Sequence, residues 1–175
     1  MRSTLWWQVP VGVALATLML AALGPTPAAI PGVAVAATAA ELTRVDIREH
    51  RLPNRMTLPL IVAGVVGVGA TWLTAGEFPL VPVVAALATA GVFLLTALVG
   101  GMGMGDVKLA AALGLASPVP LLALGWPVLA TLTGGVASVV VLIRQGRRGR
   151  IAFGPFLLLG YVGALVALLV LGLSR

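Results

Sequence analysis

Several runs of roughly 17 to 25 predominantly apolar residues, each ended by a short polar or glycine- and proline-containing turn, leave this chain few ways to fold. A run of that length crosses a hydrocarbon core as a helix, because a helix satisfies its own backbone hydrogen bonds. Strands of a membrane barrel would instead alternate polar and apolar residues. The polar complement points the same way. Mean hydropathy is +1.13, and charged residues make up 9% of the 175, whereas soluble domains average about a quarter. The expected fold is an all-α integral membrane protein.

Eleven lysines and arginines face five acidic residues, a net charge of +6. The excess is concentrated in two short segments, "TRVDIREHRLPNRM" with Arg44, Arg48, Arg51 and Arg55, and "RQGRRGR" with Arg144, Arg147, Arg148 and Arg150. Basic loops mark the cytoplasmic side of a membrane protein, so the charge reads as a topology signal, and no nucleic-acid partner is expected. Apolar spans are expected over about 5–23, 30–42, 57–74, 80–99, 121–143 and 151–173, with a short helix, "VKLAAALGLA", after Asp106. The first run competes with a signal-peptide reading, since small residues near Ala28 and Ala29 suit cleavage, but it is long for a signal core and is kept as a helix. The second is rich in small residues, which suits packing against other helices. These add up to a polytopic bundle of about seven transmembrane helices in one membrane-embedded domain, 1–175, with the N-terminus cytoplasmic and the C-terminus outside. Both basic segments then fall on the same side.

The chain has no cysteine and a single histidine, His50, so neither a disulfide nor a thiolate or histidine zinc site is expected, and no cofactor is called for. Chemistry must come from elsewhere. There are only two aspartates, Asp46 and Asp106, and the expected topology puts both at the cytoplasmic boundary beside membrane helices. Ionisable groups there are costly and usually functional. Two carboxyl groups sharing one proton can hydrolyse an amide: the ionised one takes a proton from water while the protonated one polarises the carbonyl. Desolvation and mutual repulsion both oppose the second ionisation, so the titrations belong to the pair.

In "GGMGMGDVKLAAALG", residues 100–114, the glycines around Asp106 permit unusual backbone angles and the close approach of an extended substrate. Plainer roles stand beside these. Asp106 could cap the helix that follows, and Asp46 could pair with Arg44 or Arg48 in a wet loop. Lys108 could tune Asp106 or reach the headgroups as an interface lysine, and the glycines could serve helix packing. A small transporter or assembly factor, relaying protons through the two carboxylates, is the alternative from another class.

The segment "GMGDVKLAAALG" resembles the G-x-G-D-x-K-L motif of type IV prepilin peptidases, the bacterial GxGD membrane aspartic proteases. "DIREHRLPNRMTLPL", with Asp46, Pro53 and Asn54, is similar to that family's first aspartate segment, and "IAFGPFLLLGY" is similar to its closing stretch. The resemblance implies that Asp46 and Asp106 form the catalytic pair, with Gly103, Gly105, Lys108, Pro53 and Asn54 as motif support. It implies an enzyme of the bacterial cytoplasmic (inner) membrane that removes the basic leader of prepilins or pseudopilins. Longer members carry a cytoplasmic insertion with paired cysteines, associated with N-methylation. This chain has no cysteine, so methyltransferase activity is not expected. A homo-oligomer is left open.

Overall fold

The computed structural model describes residues 6–99, 102–145 and 151–173. Among them are seven α-helices: α1 (Gln8–Leu23), α2 (Ile30–Glu49), α3 (Asn54–Ala75), α4 (Leu80–Leu98), α5 (Met104–Leu115), α6 (Pro120–Gln145) and α7 (Gly154–Val170). A single 3-10 turn, Pro27–Ala29, leads into α2. Four of the helical stretches, Pro27–Glu49, Asn54–Ala75, Leu80–Leu98 and Pro120–Arg144, are long and apolar enough to cross a membrane. The outward faces agree, since α3, α4 and α6 expose Val62, Val65, Leu87, Leu95, Val136 and Ile143. Apolar surface of that extent is stable against lipid and not against water. The protein is an all-helical, multi-pass membrane protein.

The bundle is built around its shortest helix. Leu109, Ala110, Ala112 and Leu113 of α5 are fully buried, and α5 packs against α2, α3, α4 and α7. Twelve residues at about 1.5 Å each span only about 18 Å, against about 30 Å of hydrocarbon. So α5 is a short helix held inside the bundle. Glycine lets its neighbours come close. A Cβ on Gly114 would lie 2.4 Å from the Ala86 backbone of α4, and one on Gly160 of α7 would lie 2.5 Å from the backbone nitrogen of Ala130 in α6. Backbone contact of this kind is how small residues hold membrane helices together. Tyr161 of α7 donates its hydroxyl to the carbonyl of Ala116, at the end of α5.

Two expectations need correction here. The second helix does not stop near residue 42; it runs through Arg44, Asp46 and Arg48 to Glu49. The ion pair between Arg44 and Glu41, one turn apart at 2.6 Å, lets charged residues continue the helix, and Gln8 of α1 adds a hydrogen bond to Glu41 at 2.6 Å. The helix closes where His50 takes a left-handed conformation, φ 50°, and its N–H bonds the Asp46 carbonyl at 2.8 Å. The helix of the second motif also begins earlier than expected, at Met104, so Asp106 lies inside it. Arg147, Arg148 and Arg150 of the second basic segment lie outside the described residues.

Candidate active site

Asp46 opens the last turn of α2 and is 3% exposed; Asp106 sits in the first turn of α5 and is 8% exposed. The link between them is Leu52. After the left-handed turn at His50 the chain runs extended to Pro53, which precedes α3 with φ −70° and ψ 144°, and Leu52 points inward, 7% exposed. A Cβ on Gly105 would lie 2.7 Å from both the Leu52 Cβ and its carbonyl oxygen, so this loop lies directly on the backbone beside Asp106. The far end of the same Leu52 side chain reaches the place where Asp46 Oδ2 meets Gly154 of α7. The two carboxyl groups therefore flank one residue, near enough that the charge of Asp46 acts on Asp106.

Their surroundings differ. Asp46 Oδ2 accepts the backbone N–H of Gly154 at 2.8 Å. Asp106 Oδ1 is buried without a hydrogen-bond partner among the described residues. Burial, and after it the Asp46 charge, raise the Asp106 carboxyl to about 7. Asp106 is thus the member prepared to hold a proton, while the Gly154 N–H favours the ionised form of Asp46. Among the described residues no group of three or more potential metal ligands occurs.

Asp106 is not the helix cap: Gly103 occupies that position, extended at φ −81° and ψ 147°, and its carbonyl accepts the Asp106 N–H at 3.1 Å. Nor is Asp46 a wet-loop ion-pair partner, for it is buried and Arg44 is engaged by Glu41. Lys108 donates from Nζ to Asn54 Oδ1 at 2.6 Å, joining the start of α3 to α5. It ties the two aspartate segments together, a role that neither tuning nor snorkelling anticipated. Gly105 is a packing glycine; Gly103 is exposed, with Asp106 Oδ2 the nearest described atom to an added Cβ at an ordinary 3.5 Å. Gly154 is the residue that the reading of the two motifs missed. "IAFGP" was visible as a pattern, but nothing local to it signals a carboxylate 108 residues away.

The Lys108–Asn54 tie is exposed, so its worth is expected to be small, below about 1 kcal/mol. Lys108→Met and Asn54→Ala are each expected to lower the thermal midpoint in detergent slightly, and the double variant no further than the larger single effect. Full additivity in that cycle would mean that the two side chains act separately.

The described residues thus form an all-helical membrane bundle with two buried carboxyl groups, Asp46 and Asp106, near helix ends. The chain belongs to the type IV leader peptidase family, whose model matches residues 33–143 and so includes both aspartates. A prepilin leader peptidase/N-methyltransferase of Burkholderia pseudomallei is 32% identical over 164 residues, covering 84% of this chain and 49% of the relative. One of the same description from Neisseria gonorrhoeae is 37% identical over 137 residues, 72% of this chain and 44% of the relative. The chain spans about half the length of the curated relatives it matches. No solved structure matches it.

Proposed function

We propose that this protein is a membrane aspartic endopeptidase that cleaves the leader from prepilin-type substrates, with Asp46 and Asp106 as its catalytic pair. The observation that carries the reading is the unequal pair itself: two buried carboxyl groups around Leu52, one accepting the Gly154 N–H at Oδ2 and the other with its Oδ1 left without a hydrogen-bond partner among the described residues, in a chain of the leader peptidase family. Asp46, with its charge-assisted hydrogen bond, takes a proton from water as the water oxygen attacks the scissile carbonyl. Asp106 gives its proton to the carbonyl oxygen, so the intermediate is a neutral diol. Collapse returns that proton to Asp106 while Asp46 passes the other to the leaving nitrogen, and the C–N bond breaks. Both groups end as they began. An extended substrate backbone would lie along the exposed edge at Gly103. Incubating the purified protein in detergent with a peptide bearing a basic leader, a glycine and an apolar helix tests this. A single cut after the leader is expected, and an intact peptide overturns the proposal.

The same reading includes one domain over 1–175, a location in the bacterial cytoplasmic membrane, the N-terminus and the α2–α3 loop inside, and the C-terminus outside. Arg44, Arg48, Arg51 and Arg55 around that loop support it. The chain has no cysteine of its own, so single cysteines report cleanly. Glu77→Cys, in the turn between α3 and α4, is expected to react with an impermeant thiol reagent added to intact cells. Glu49→Cys is expected to react only after lysis. The opposite pattern would invert the topology.

A further inference from the structure

Asp46 finds its hydrogen-bond partner in the first residue of the last helix. Gly154 N–H donates to Asp46 Oδ2 at 2.8 Å in a buried position. The next residue, Pro155, has no N–H to offer, and the N–H groups of Phe156 and Leu157 are taken by the Phe153 carbonyl at 3.0 and 3.2 Å. In this turn Gly154 alone therefore presents a donor to a side chain, at the end of α7 where the helix carries its partial positive charge.

Space requires glycine here as well. Gly154 is not among the residues of positive φ, so backbone conformation does not demand it. An added Cβ, however, would stand 2.8 Å from Asp46 Oδ2 and 3.3 Å from both its Cγ and the Leu52 Cδ1. Alanine would push the carboxylate off its donor. The start of α7 is in turn held in place. The Phe153 ring fills the space left by Gly134 of α6 and packs on Phe93 of α4, with centroids 6.2 Å apart.

We propose that Gly154 is a positioning residue for the reaction: its N–H orients Oδ2 of Asp46, and its missing side chain keeps the room in which that carboxylate can turn its other oxygen to the attacking water. This rests on the reading of Asp46 as the general base. Gly154→Ala, purified and normalised to folded protein, is expected to cleave leader peptide with kcat lowered about 10- to 100-fold and KM within about twofold, the mark of a misplaced catalytic group. Gly163→Ala is the control in the same helix. Its Cβ would meet only the flexible end of Leu129, at 3.3 Å, and kcat is expected to be retained.

A second measurement does not depend on turnover. With 15N-glycine labelling, the Gly154 amide is the resonance lost in Gly154→Ala, and it is expected downfield in the wild type and to move upfield in Asp46→Ala. If the wild type cleaves but this resonance stays put, or if folded Gly154→Ala keeps the wild-type kcat, the positioning role is overturned and the peptidase reading stands. If the wild type cleaves no leader peptide, both fall together.

Discussion

Asp46→Asn and Asp106→Asn are each expected to accumulate as folded membrane protein and to cleave leader peptide about a thousandfold more slowly, or not measurably, within the usual range for loss of a general acid or base. An amide has nearly the shape of a carboxyl group, so the packing around Leu52 survives. At position 46 the amide oxygen can still accept the Gly154 N–H, so the lesion is chemical: an amide cannot take a proton from water. At position 106 it cannot return one to the carbonyl oxygen. The effects should be far from additive, since either loss stops the same proton cycle, and the double variant should be no slower than the worse single one. The wild-type pH dependence carries the same assignment. With Asp106 raised to about 7, its proton is present below that pH and lost above it, so kcat/KM is expected to decline as pH rises through 7. Cleavage assays on both variants and a pH series on the wild type check this. Near-normal cleavage by either asparagine variant would remove that residue from the pair.

What could be read in the sequence was whatever depends on neighbours along the chain. Continuous apolar runs located the helices to within a few residues, since α3 and α4 begin and end close to the expected 57–74 and 80–99. The aspartates stood out because ionisable groups beside such runs need a reason. The end of α2 is not legible because a cluster of charges resembles a loop, whereas Glu41 and Arg44 pair one turn apart within the helix. The partners of Lys108 and Asp46 were illegible for a different reason. They lie 54 and 108 positions away, and spacing within a motif says nothing about which distant backbone a fold will press against it. The glycines show both limits together. The two glycines of a G-x-G pattern look alike on paper, and only the packed structure separates Gly105, which touches backbone, from Gly103, which is exposed.

That separation makes the sharpest remaining prediction. Gly105→Ala places a Cβ 2.7 Å from the Leu52 carbonyl oxygen and Cβ, and 3.1 Å from its Cα. Two of those atoms are backbone and cannot rotate away, so the loop after α2 must retreat from α5. Overpacking of this kind costs about 1 to 3 kcal/mol. The larger consequence is geometric, because Leu52 is the residue that the two aspartates flank: a retreat of even about 1 Å separates the carboxyl groups and is expected to lower kcat about a hundredfold. Truncating the Leu52 side chain should not rescue it, since the clashing carbonyl remains. Gly103→Ala differs. Its conformation, φ −81° and ψ 147°, is open to any residue, and the nearest atom to the new Cβ is Asp106 Oδ2 at an ordinary 3.5 Å. It is expected to keep its thermal midpoint and to lose activity less than about tenfold, mainly through KM, because the methyl group enters the space left for substrate. Thermal unfolding and full kinetics on the two variants, side by side in one detergent, decide the matter. Equal losses from both would mean that the glycines act as a flexible pair, and the assignment of Gly105 to packing and Gly103 to access would be wrong.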